Sequence, residues 1–379
     1  MIPNTEEVRR SRVSHARARL ADVAERLGAR SLVLSSSAAV AWATGGLSTP
    51  IDRVASIDPI WVVYRDGEMT LVTSSVEFDR LGADFDLDAL GLSLVAAPWY
   101  ETDAHRRRVE EMVGEVGASD LSGLGLDATF ELTRERLGLC PAEIDVMSGL
   151  ARVATDAVEN ALAQWRPGET TDREIAADVA RQLERHGAEA VCLIVGGDDR
   201  LRRFRHPVLR GDVLERSAMV VVVARSLGLH VALTRLASVG DEVPASLMER
   251  CETVHERVRD ATKVGATWGE VYSALARGYL EVGEPEAWRE HFQGGPIGYE
   301  QREFELSPLS TNSPWWREPV PAGCATSFNP SLAGGAKIED TYLVGGDEPT
   351  PQTLTSSWPR LAGDGSGADV LRLREMRAT

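Results

Sequence analysis

Apolar residues recur at helical spacing over residues 5–27, at Val8, Val13, Ala16, Leu20, Val23 and Leu27, behind a Thr5 cap followed by Glu6 and Glu7. This predicts an opening helix. The short apolar run Ser31–Ser36 predicts a strand, and residues 60–64 and 69–74 predict a hairpin turned at 65–67. Residues 92–97 add a strand, 104–116 a helix and 124–127 a last strand, which makes this half an α/β region with a mixed sheet. After Cys140-Pro141, a hinge signal, a helical pattern runs over 141–166 and stops at Pro167-Gly168. A helix over 172–186 follows, with Thr170 and Thr171 as caps and Glu174 in its first turn. Strands are then predicted at 191–195, 218–223 and 230–236, helices at 244–264 and 268–282, and closing strands at 298–305, 325–329 and 338–344. The fold class is α/β (α+β), with an N-terminal α/β domain over 1–135 and a second domain over 141–350. Residues 351–379, rich in Thr, Ser, Pro and Gly, are expected to form a loose tail.

Composition narrows the function classes. A chain of 379 residues with 43% hydrophobic and 26% charged content has material for two ordinary cores. No run approaches the roughly 18 apolar residues of a membrane helix, and the N-terminus has no apolar signal core. A cytoplasmic location without a membrane partner is therefore expected. The net charge of −17 argues against nucleic acid as a partner. Cys140, Cys192, Cys251 and Cys324 stand far apart with no CxxC pair, so zinc-finger, redox and disulfide frameworks find no support. Only Lys263 and Lys337 are lysines among the 41 basic residues. GxSxG, P-loop and HExxH motifs are absent. Residues 123–128 match GxGxxA, but without a downstream acid in a βαβ unit that match carries no dinucleotide site.

The C-terminal half carries a resemblance in ordered blocks. The segment Trp165–Glu189 has a helix, Pro-Gly, Thr, helix form. Arg205-His206-Pro207 and Gly211-Asp212 precede the apolar strand; the blocks GLHVALTRLASVG, HFQGGPIGYEQREFE, FNPS and KIEDTYLV follow. Together they resemble the pita-bread family of creatinase, aminopeptidase P and prolidase (peptidase family M24). The N-terminal half resembles that family's first domain more loosely. The resemblance implies a creatinase-like α/β domain followed by a pita-bread domain. It also implies a homodimer, and a small molecule or short peptide as substrate.

The family's peptidases hold two metals with two Asp, one His and two Glu. The matching positions here are Ala224, Ala232, Gly295, Asn329 and Glu339, of which only Glu339 is a strong ligand, so no metal and no cofactor are expected. Creatinase, the metal-free branch, implies His206 as acid and base and Arg302 as the grip on a substrate carboxylate. Imidazole titrates near neutral pH, and guanidinium presents a planar fork, so both residue types suit those tasks. Glu303 is expected to orient His206 or activate water, and Glu339 to hold a substrate nitrogen. Asn329, Thr234, His230, His291, Tyr299 and Lys337 complete the expected lining, with Thr234 and Asn329 standing where creatinase has carboxylates. His230 and Lys337 also fit exposed strand positions. Trp315-Trp316 fit a lid or a subunit contact.

The leading expectation is a metal-independent hydrolase or lyase of a C–N bond in a small carboxylate-bearing amide, ureido or dipeptide-like substrate. One alternative is an inactive pita-bread protein that binds a peptide or partner in the cleft. Another is an Xaa-Pro aminopeptidase or dipeptidase with an atypical metal site.

Overall fold

The structure, a computed structural model, describes residues 1–47, 57–346, 348–361 and 367–373. The chain divides into two compact units, Pro3–Val146 with Leu227–Leu229, and Met1–Ile2, Met147–Ser226 and His230–Thr379.

In the first of these, the helices are α1 (Glu6–Leu27), α2 (Ser37–Ala43), α3 (Phe78–Asp84), α4 (Ala104–Val113) and α5 (Thr129–Arg136). The strands are β1 (Ser31–Ser36), β2 (Ile57–Arg65), β3 (Glu68–Ser74), β4 (Leu92–Ala97), β5 (Ala118–Ser119) and β6 (Leu126–Asp127). They form one sheet in the order β4-β3-β2-β1-β5-β6, antiparallel at β1–β2 and β2–β3 and parallel elsewhere. The expected cap on α1 is in place, with Thr5 Oγ1 accepting from Val8 N at 3.3 Å. Helix α4 stops at Val113, three residues short of expectation, because Gly114 leaves helical backbone with φ 71°. Val33, Val63, Val72 and Val109 meet under α4 to form the core. Each such buried side chain contributes about 1.5–3 kcal/mol.

The second unit continues from α6 (Pro141–Ala163), within which the division falls, through α7 (Asp172–Glu184), α8 (Asp198–Arg203), α9 (Ala245–Ala261) and α10 (Trp268–Glu281). Strands β7 (Glu189–Gly196), β8 (Ser217–Ser226), β9 (Leu229–Val239) and β16 (Leu371–Leu373) form a sheet in the order β16-β9-β8-β7. A second sheet runs β10 (Gly294–Ile297), β11 (Cys324–Phe328), β14 (Asp340–Val344) and β15 (Thr350–Pro351). Between β11 and β14 the chain folds into a ribbon of β12 (Ser331–Leu332) and β13 (Ala336–Lys337). Strands β8 and β9 are buried along almost their whole length, which accounts for their near-continuous apolar reading.

Three expectations are corrected. The strand expected at 298–305 lies earlier, at β10, while residues 298–305 form a bend. The sequence hid β10 because Gly294-Gly295-Pro296 has little β-propensity. Gly294 is there because a Cβ would come within 2.2 Å of Ser327 O on the paired strand. The strand expected at 338–344 begins only at Asp340, so Lys337 ends β13 and Glu339 lies in the break between β13 and β14. The stretch after residue 350 is tied in over its described residues. Thr353 Oγ1 donates to Asp340 at 2.7 Å, and β16 pairs in parallel with β9; the rest of the expected tail lies outside the described residues.

One buried cation organises this unit. Arg235, 1% exposed, donates to Asp340 Oδ1 at 3.0 Å, Glu159 Oε1 at 3.2 Å, Thr353 O at 2.6 Å and Thr234 O at 2.8 Å. It thereby links α6, β9, β14 and the segment after β15. Removing one partner of such a pair strands the other in the interior. Arg235→Ala is expected to lower unfolding stability by about 3–5 kcal/mol, read by urea denaturation. A loss below 1 kcal/mol would show that the network is dispensable.

Candidate active site

Arg235 and Asp340 face one way; their chain neighbours Thr234 and Glu339 meet on the other. Thr234 N donates to Glu339 O at 2.9 Å, and Thr234 Oγ1 donates to Glu339 Oε2 at 2.7 Å. Asn329, just beyond β11, donates Nδ2–H to Glu339 Oε1 at 3.2 Å. Its Oδ1 is buried without a hydrogen-bond partner, and so is Ser327 Oγ two residues earlier. Lys337 donates Nζ–H to Asn329 O at 3.3 Å. Burial lowers its proton affinity, and Glu339 opposes that shift. Lys337 is 4% and His230 5% exposed, so the reading of both as exposed strand residues is overturned.

Two histidines lie next to this group. His206 is exposed at its outer surface, with part of its ring against protein. Its pKa is lowered by that burial and by Lys337 and Arg302, with Glu339 opposing. Its ring stands edge-on to His291 at 6.1 Å. His291 Nδ1 lies 2.6 Å from Phe292 O, and Nε2 lies 2.7 Å from Ser331 Oγ and 3.2 Å from Gln293 Nε2. Burial, helped by Lys337, drives its pKa to about 2, so it is a neutral hydrogen-bonding ring. Arg302 donates to Glu305 Oε2 at 2.7 Å.

Other expected residues serve the 298–305 bend instead. Glu303 serves the backbone of the bend: Oε1 accepts from Tyr299 N at 2.7 Å and Glu300 N at 3.2 Å. A carboxylate three or four residues after such amides folds back on them, as at a helix cap. Tyr299 is buried, and His230 holds the bend through Gly298 O, at 2.8 Å from its backbone N and 3.0 Å from Nδ1. Trp315 stacks on Phe304 at 4.2 Å, and Trp268 meets Phe304 edge-on at 5.2 Å, so Trp315 anchors the bend from beneath.

Sequence reasoning missed several neighbours. Ser331 and Gln293 lie inside the resembling blocks, and Ser327 just before the FNPS block. Cys192 on β7 feels Glu339, Lys337 and Arg302. Cys251 on α9 donates to Pro330 O at 3.3 Å, and burial pushes its thiol to about 12. Neither cysteine carried a spacing signal.

The five positions matched to metal ligands give a direct test of fit. Ala224 and Ala232 offer no donor. Gly295 has φ 157°, and a Cβ there would meet the Tyr272 hydroxyl at 2.4 Å. That hydroxyl is itself held by Gly294 O at 2.6 Å, so an imidazole at this position has no room. Asn329 aims N–H, a donor, at Glu339. Among the described residues no group of three or more His, Cys, Asp or Glu is placed to hold a metal ion. These side chains do not fit a divalent pair.

The profile of metallopeptidase family M24 matches residues 145–345, more than half of the chain. The chain belongs to the M24 metallopeptidase family, a family of hydrolases with the two-domain pita-bread fold. Among solved structures it is similar to the dipeptidase PepE from Mycobacterium ulcerans, at 20% identity and TM-score 0.74, covering 98% of this chain and 99% of that one. It is also similar to the Xaa-Pro dipeptidase from Bacillus anthracis, at 18% identity and TM-score 0.71, over 95% and 100% of the two chains. The prolidase from Pyrococcus horikoshii OT3 follows at 16% and 0.69, over 91% and 99%. No curated protein matches the chain in sequence. No helix among the described residues is long and apolar enough to cross a membrane.

Two outcomes follow from this geometry. His291 binds a proton near pH 2 when folded and near its ordinary 6.5 when unfolded. The unfolded chain therefore takes up the extra proton as pH falls below that value, and stability declines toward acid at up to ~1.4 kcal/mol per pH unit. His291→Gln is expected to flatten this decline between pH 6 and 4 in urea titrations; an unchanged slope would refute the assignment. Gly295→Ala is expected to cost about 1–3 kcal/mol by overpacking against Tyr272, and a neutral result would count against that contact.

Proposed function

We propose that this chain is a metal-independent, creatinase-like hydrolase or lyase that breaks a C–N bond in a small carboxylate-bearing amide or ureido substrate. Resemblance to the family adds that it works as a cytoplasmic homodimer. The observation that carries the reading is the state of Asn329. Its Nδ2–H points at Glu339, which a metal ion or a guanidinium would need free, and its buried Oδ1 lacks a donor. A neutral N–H from an amide or ureido group completes that oxygen.

His206 takes a proton from water, the water oxygen adds to the carbonyl carbon, the C–N bond breaks, and the proton is returned to the leaving nitrogen. Its lowered pKa keeps the imidazole in the neutral, proton-accepting form near pH 7. Arg302 is part exposed and pairs with Glu305, whose own proton affinity burial raises. A substrate carboxylate exchanges with Glu305 on the guanidinium fork.

A second reading, an inactive member that binds a peptide, draws support from Glu303, because the amides of its own bend occupy the carboxylate. Metal analysis of the purified protein with thermal shifts against an N-carbamoyl amino acid and its guanidino analogue decides between the readings. No bound metal, stabilisation by the carbamoyl compound, loss of that stabilisation in Arg302→Ala, and turnover lost at least about 100-fold in His206→Ala are expected. Binding with no turnover would favour the second reading. Mn²⁺-dependent cleavage of an Xaa-Pro dipeptide would overturn both.

A further inference from the structure

Among the described residues around the site, Glu339 and Lys337 make no charge-paired hydrogen bond, while the two nearby arginines do. Arg302 has Glu305, and Arg205 has Glu290 at 2.9 Å. Glu339 has two neutral donors, Thr234 and Asn329. That leaves Lys337, a buried cation whose one hydrogen bond among the described residues goes to a neutral carbonyl. Lys337 is paired with Ser331 across the β12–β13 ribbon, so its side chain lies on the face that carries Ser331 and, through it, His291. Its charge is felt by His206, His291, Cys192 and Cys251, which come from four different segments. An ammonium here, favoured by Glu339 against the cost of burial, repels a dication and needs acceptors for its remaining N–H bonds.

We propose that the Lys337 ammonium is a resident cation: it stands in for the family's metal charge beside Glu339 and donates an N–H to the carbonyl oxygen of the scissile C–N group. This rests on the metal-independent reading. It explains how a cleft with three ligand positions reduced to Ala or Gly can still draw electron density from a carbonyl. The developing oxyanion meets a fixed positive charge in a water-poor setting, where such a charge acts most strongly.

Mn²⁺ binding followed by electron paramagnetic resonance tests the claim without a known substrate. The wild type and Asn329→Glu are expected to leave Mn²⁺ free, because the ammonium remains. Asn329→Glu combined with Lys337→Gln is expected to bind it at least about tenfold more tightly than Asn329→Glu alone. Equal affinity in the single and double variants, or none in either, overturns the proposal. Near-stoichiometric Mn²⁺ in the wild type would instead sink the metal-independent reading itself. Should the double variant fail to fold, the melting temperature of Lys337→Ala is compared in ethylammonium and in tetramethylammonium at equal ionic strength. Selective recovery with ethylammonium supports a resident cation, and identical curves overturn it.

Discussion

Arg235 is the constraint on which the C-terminal unit depends. A guanidinium with no access to water must have its N–H groups satisfied, and its partners come from α6, β9, β14 and the segment after β15. Fixing Arg235 against Asp340 fixes their neighbours too. Thr234 and Glu339 are brought face to face by both a backbone and a side-chain hydrogen bond. The same network draws in Thr353, so a segment that is polar and turn-rich by composition becomes part of the interior.

The cleft next to it has a different charge logic from a metal site. A two-metal centre gathers carboxylates and leaves their repulsion for the ions to relieve. Here one carboxylate is shared by a hydroxyl and an amide, a buried lysine donates to the Asn329 carbonyl, and the space beside Gly295 is filled by Tyr272. Two buried oxygens, Asn329 Oδ1 and Ser327 Oγ, still lack donors. Unmet acceptors cost free energy in an interior, so each of these oxygens marks a place where an N–H donor would be stabilising.

The 298–305 bend shows how expected site residues divide into chemistry and support. Glu303, His230 and Tyr299 look equally reactive as residue types. In the fold, Glu303 and His230 bind backbone groups of the bend, Tyr299 is buried in it, and stacked Trp315 and Phe304 hold it from below. Arg302 remains at the surface of the same bend with a replaceable partner.

Hydrophobic periodicity by itself determined the long elements, α1, α6, α7, α9 and α10 and the apolar strands β8 and β9, because these bury one face or both and must show it in spacing. Ordered blocks also determined the family, which the M24 profile bears out. Only the tertiary structure decided where β10 lies, since its glycines are chosen for close backbone approach and not for strand propensity. It alone brought Ser331, Cys192 and Lys337 to one place. No local pattern marks such residues, because their meaning comes from partners that are distant in sequence. A lysine reads as a solvated charge until the fold closes over it; here burial disfavours the charge on Lys337 and Glu339 favours it, a balance that only the tertiary structure sets.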